Sequence, residues 1–153
     1  IPGRQMDLLL LSQWISTGFM TGLIWFVQVV HYPIYANVSP QDLPKYQQFH
    51  VRRTTLVVFP MMVTELIGGT LLLVREWQGE LQNFAIWGIV LLGVIWLSTL
   101  LLQIPRHDLI GKAGSEDPPI RSMVLTNWIR TLAWSGRLAL LAVYVPPGLK
   151  FAE

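Results

Sequence analysis

Cysteine is absent from the 153 residues, so the chain has no disulfide, no thiolate metal ligand and no thiol nucleophile. Charge is nearly as scarce. Asp, Glu, Lys and Arg make up 13% of the residues, against roughly a quarter in soluble globular chains. Also missing is any His-x-x-x-His or Glu-x-x-His pair, the spacings that place two metal ligands on one helix face. What is plentiful is apolar surface: hydrophobic residues reach 52% and the mean hydropathy is positive. The expected class is an integral membrane protein. The net charge of +2 comes from Lys and Arg placed near the ends of apolar segments, which points to membrane topology and away from nucleic acid.

Four apolar segments account for the chain. Leu8–Val30 runs 23 positions almost without charge, enough to span a hydrocarbon core of about 30 Å, and Pro33 is expected to end that helix. The run is too long for a cleaved signal and lacks a basic leader beyond Arg4. Pro44 suits the first turn of a second helix that continues to Val74, with Pro60 inside it as an expected kink. The polar link 75–82 makes the next segment, Phe84–Ile104, the return arm of a hairpin. A Gly-, Pro- and charge-rich loop then leads, through Asp117 and Pro118-Pro119, to a fourth helix stopped by Pro146-Pro147-Gly148. The expected fold is all-α: one transmembrane domain over 1–153, a four-helix bundle with helices at about 8–30, 44–74, 84–104 and 118–145, antiparallel in up-down-up-down order.

Basic residues orient it. Lys45, Arg52, Arg53, Arg106, Lys112 and Arg121 lie on one side, and only Arg4, Arg75 and Lys150 on the other. The richer side should be cytoplasmic, placing both termini in the periplasm if the membrane is a bacterial inner membrane.

The last segment, Met123–Tyr144, carries two arginines at depths where lipid would penalise them by about 2.5–3.5 kcal/mol each. Asn127, Arg130, Trp134 and Arg137 follow one another at steps of three, four and three, a single helical stripe that must face partners. Glu65 lies about 18 Å along helix two from Arg53, between the depths of Arg130 and Arg137, at about 14 and 24 Å past Arg121. A buried ion pair of Glu65 with Arg137 or Arg130 is expected, with Trp134 packed beside the guanidinium. The inward stripe of helix two reads as His50, Thr54, Val57, Met61 and Thr64 or Glu65.

Polar residues also gather toward one leaflet. Gln28 and His31 close helix one, His50 and Thr54 open helix two, Gln103 and His107 close helix three, and Asn127 and Arg130 open helix four. Facing helices build cofactor sites from such inward side chains. Three imidazoles, His31, His50 and His107, could hold an Fe, Cu or Zn ion with an open position. Haem with two of them axial is a second option, and a quinone or lipid headgroup hydrogen-bonded by Gln28, Thr54, Gln103, Asn127, Arg130 and Trp134 needs no metal.

The runs HYPIYANV, KYQQFHVRRTTLVV, LLQIPRH and TNWIRTLAWSGR resemble a family of small bacterial four-helix membrane proteins of uncharacterised activity, over nearly the whole chain. There is also a more distant likeness to anthrone-oxygenase-like membrane proteins, to which no catalytic residue can be matched. The resemblance implies a four-helix fold and supplies no reaction. Three functions compete: a metal- or cofactor-dependent redox or oxygen-using protein acting on a lipophilic small molecule; an accessory subunit binding lipid, quinone or pigment; and a small transporter using Glu65 as a proton-coupled charge. The accessory subunit would dock on a second copy or a larger membrane complex through Gly18 and Gly22.

Overall fold

The computed structural model describes residues 6–112 and 118–145. Asp117, Arg4, Lys150 and the stop at Pro146-Pro147-Gly148, all used in reading the sequence, lie outside the described residues. Among the described residues the structure is helical, without a strand. Four long helices carry it: α1, Leu8–Asn37; α2, Leu43–Arg75; α3, Gln82–Ile110; and α4, Ile120–Tyr144. The first three are each long and apolar enough to cross a membrane. The 25 residues of α4 include Arg121, Arg130 and Arg137, and that helix does not meet the same measure.

Two helices run on past a proline. Pro33 does not end α1 as expected, and α3 continues through Pro105 beyond the expected bound at Ile104. Helix α1 passes through a π turn at Val27–His31, continues over Tyr32–Ile34 and finishes in a 3-10 turn at Tyr35–Asn37. Helix α3 does the same through a π turn at Thr99–Gln103 and runs on from Ile104 to Ile110. Each proline falls two residues beyond its π turn. A proline clashes with the carbonyl four residues back and cannot bond to it; widening the preceding turn shifts that carbonyl away and lets the helix resume. α2 remains one helix through Pro60.

The molecule is inverted relative to a soluble protein. Large apolar side chains stand on the outside, Leu8 at 84%, Val143 at 75%, Val74 at 72% and Leu56 at 69% exposed. Inside lie Gln13, Thr17, Gln28, Gln47, Glu65, Gln103, Asn127, Thr131 and Arg137, interleaved with two apolar clusters. Water would reward the opposite arrangement; a hydrocarbon solvent rewards this one. Pairings along the helices fix their senses: Asp7 meets Arg75 while His31 meets His50, and Trp14 bonds to the Val145 carbonyl while Gln28 bonds to the Val124 carbonyl. Moving down α1 is therefore moving back along both α2 and α4.

Glycine permits close approach at one place. A Cβ at Gly68 would run into the Gln13 side-chain amide, and one at Gly69 would sit 2.8 Å from Leu92 Cδ1. At Gly18 and Gly22, the pair singled out in the sequence, an added methyl group would meet nothing within 4 Å among the described residues, so this pair holds no helix of the same chain close. The inward stripe of α2 also needs correction. Val57 is 47% exposed and Thr64 is exposed, while Gln47, His50, Met62, Glu65, Gly68, Gly69 and Leu72 make its buried face.

Candidate functional site

Two polar clusters occupy the interior, about two helical turns apart on α4. The deeper one is centred on Glu65, which is fully buried. Its carboxylate accepts from Thr17 Oγ1 at 2.7 Å, Trp134 Nε1 at 2.8 Å and Arg137 Nε at 3.3 Å. Arg137 directs its remaining donors to the Gly88 carbonyl at 2.6 Å and to Gln13 Oε1 at 2.9 Å. Every one of the four helices contributes a group. Of the two partners weighed for Glu65, the structure places Arg137 there. Trp134 turns its indole N–H to the carboxylate, and its ring lies 5.8 Å from the Arg130 guanidinium instead.

The second cluster surrounds a cavity of about 270 Å³ between α2 and α3, backed by α1 and α4. Val51 and Phe59 on one side and Leu100 and Ile104 on the other line it while remaining 40%, 55%, 50% and 44% exposed. The cavity thus opens sideways through the apolar outer surface. Its inner wall is polar. Tyr32, His50, Thr54, Gln103, His107 and Arg130 all line it, with Trp96 and Trp134 as aromatic walls.

The hydrogen bonds of this wall have a determined direction. Gln47 Nε2 lies 3.1 Å from the His107 carbonyl, which only accepts, so that atom is the amide nitrogen. The same nitrogen lies 2.6 Å from His107 Nδ1, which must therefore accept. The His107 proton is then on Nε2, 3.2 Å from the Tyr32 oxygen, leaving the Tyr32 hydroxyl to point at Gln103 Oε1 at 3.5 Å. Tyr35 donates to Gln47 Oε1 at 2.7 Å and completes the chain. Both nitrogens of His107 are engaged. His31 Nε2 and His50 Nδ1 bond to one another at 2.8 Å, with Thr54 Oγ1 3.1 Å from the same His50 nitrogen.

The three imidazoles do come together: ring centroids are 4.5 Å apart for His31 and His50 and 5.6 Å for His50 and His107. Among the described residues, however, no group of three or more His, Asp or Glu side chains is arranged to hold a metal ion. The rings are stacked or tilted and bonded to each other, to Gln47 and to Tyr32, where ligands would aim their lone pairs at one point. His31 reaches the cavity only through His50. Gln28 and Asn127 do not line it either. Asn127 donates to Gln28 Oε1 at 2.8 Å and accepts from Arg130 Nε at 2.9 Å, so the two amides brace the arginine from behind.

Arg130 also reaches Thr99 Oγ1 at 3.3 Å, with the Tyr32 hydroxyl alongside. Its partners are neutral. One further donor stands out: Trp96 Nε1 is buried and, among the described residues, has no hydrogen-bond partner. Sequence reading missed Gln13, Tyr32, Tyr35 and Gln47. Gln47 could have been found three residues before His50, one turn away on the same face. Tyr32 and Tyr35 were hidden by the expected helix end at Pro33.

No family model, curated protein or solved structure matches the chain. The resemblance to small four-helix membrane proteins accordingly rests on the sequence runs that carry it, and function has to be argued from the cavity.

Proposed function

We propose that the protein is an antiparallel four-helix transmembrane bundle that admits a lipophilic small molecule sideways from the bilayer and holds its polar end against Arg130, in a chamber walled by Tyr32 and His107. The observation that carries this reading is the cavity itself: an apolar mouth on the lipid-facing surface and a hydrogen-bonding inner wall, the usual make-up of a small-molecule site. The basic residues Lys45, Arg52, Arg53, Lys112 and Arg121 are exposed at the cavity's end of the bundle, which supports a cytoplasmic position for that end in a bacterial inner membrane. Because the chain has no cysteine, a single Ser39→Cys variant reports this directly: a membrane-impermeant maleimide should label it only from the cytoplasmic face.

The binding reading needs no rearrangement. A metal- or cofactor-dependent redox function uses the same histidines, but His31 and His50 would have to part before three imidazoles could face one ion. Two measurements test this. Elemental analysis of the purified protein should find well under one Fe, Cu or Zn per chain; an equimolar metal would replace the binding reading with the redox one. In phosphatidylcholine nanodiscs, methyl 9,10-dibromostearate should quench tryptophan saturably through Trp96 and Trp134, and Val58→Phe, which fills the cavity, should abolish saturation. Linear quenching unaffected by Val58→Phe would sink the proposal.

A further inference from the structure

Arg130 and Arg137 lie on one face of α4, seven residues and so about 10 Å apart. The protein meets the charge of Arg137 with Glu65. It offers Arg130 nothing comparable. Among the described residues, the ion pairs are Arg137 with Glu65 and Arg75 with Asp7 and Glu76, and none includes Arg130. Asp108 is exposed at the rim of the cavity and forms no ion pair with it. Arg130 instead meets only neutral groups, Asn127 and Thr99 as acceptors with the Tyr32 hydroxyl alongside, and lines the cavity wall. A guanidinium has five N–H donors, so its bonds to Asn127 and Thr99 leave donors for a further acceptor.

Resting on the lateral-entry reading above, we infer that the molecule taken up is an anionic amphiphile, whose carboxylate or comparable acidic headgroup pairs with Arg130 and whose apolar body lies between α2 and α3. A planar guanidinium matches a carboxylate by two parallel hydrogen bonds, and in a site shielded from water such charge-assisted bonds are about twice as strong as neutral ones. Tyr32 and His107 line the same wall with their protons already committed, His107 Nε2–H to the Tyr32 oxygen and the Tyr32 hydroxyl to Gln103, so the pairing with the headgroup falls to Arg130. Trp96 Nε1 supplies another donor to a polar atom further along the ligand. A neutral ester or quinone would leave the Arg130 charge uncompensated in an apolar surround.

The test compares a charged and an uncharged probe of one shape in phosphatidylcholine nanodiscs. 9,10-Dibromostearate should quench Trp96 and Trp134 at least tenfold more tightly than its methyl ester. Arg130→Gln should bring the acid to the level of the ester, and Arg130→Lys should retain part of the preference. Adding phosphatidylglycerol to the discs separates two sources of the same chemistry: competition with the acid assigns the site to a lipid headgroup, and no competition assigns it to a free acid. Equal binding of acid and ester by the unaltered protein, or a preference that survives Arg130→Gln in a variant of unchanged circular dichroism, would overturn the inference while leaving the cavity as a lipophile site. Saturable quenching by neither probe would remove both.

Discussion

The two arginines of α4 sit in contrasting surroundings, and the contrast separates what holds this protein together from what we propose it does. Around Arg137, donors and acceptors from four helices close on one another, and every nitrogen of its guanidinium and both oxygens of Glu65 are bonded inside the chain. Around Arg130 the bonding partners are few and neutral, and the residue lines a cavity. A closed network tolerates no loss. In our proposal the open one keeps its capacity for a molecule that is not part of the chain. The difference teaches that an intramembrane charge need not mark a ligand site; what marks it is a charge whose compensation is missing.

The contrast breaks most dramatically if the closed network is opened. Glu65→Gln or Arg137→Leu alone should cost about 3–5 kcal/mol, because each strands a buried charge. The double variant should cost less than the sum, as read by detergent-induced unfolding; additive losses would show that the pair is not coupled. Next in size is Gly68→Ala, whose methyl group displaces Gln13 and so pulls its carbonyl oxygen away from Arg137, for about 1–3 kcal/mol of overpacking. The same change at Gly18, where a methyl meets nothing, should leave the midpoint unmoved.

Arg130→Gln sharpens the comparison by its sign. Removing a charge that no carboxylate compensates relieves a burial cost, so stability should hold or rise while acid binding weakens about tenfold, or about 1.4 kcal/mol. A large loss of stability would make Arg130 a second structural cation. The smallest effect lies outside the spans. Asp7 pairs with Arg75 and accepts the Leu10 N–H at 2.8 Å, capping α1. Desolvation pushes its carboxyl upward, but the Leu10 bond and Arg75 outweigh this and hold it below the ordinary 3.8. With the folded value depressed, the contribution is complete above about pH 4 and lost as pH falls through the folded value. Because Asp7 and Arg75 are 38% and 35% exposed, Asp7→Asn should cost under about 1 kcal/mol, diminishing in high salt.

Much of this was legible in the residues. The polar stripe of α4, the gathering of all three histidines at one end and the choice of Glu65 as a buried carboxylate follow from helical spacing and from the cost of charge in lipid, both of which act locally. The three apolar helices followed from length. What was not legible depends on register beyond a π turn. Reading α1 with a strict 3.6 period and stopping it at Pro33 hides Tyr32 and Tyr35, which are 2% and 1% exposed. Likewise, nothing in the sequence says that His31 and His50 bond to each other and so leave no converging lone pairs for a metal. That outcome turns on ring orientations set by Gln47, Thr54 and the tyrosines together.

The π turns themselves carry a consequence for how such a chamber can change. Each behaves as one surplus residue in an otherwise regular helix, so everything after it is swung by roughly 100° about the axis. Deleting Val29 should therefore rotate Tyr32 out of the wall and Tyr35 away from Gln47 while leaving the Glu65 network, which lies before the insertion, undisturbed. A lineage could redraw the chamber's lining by gaining or losing single codons at two places, without touching the part of the bundle that keeps it folded.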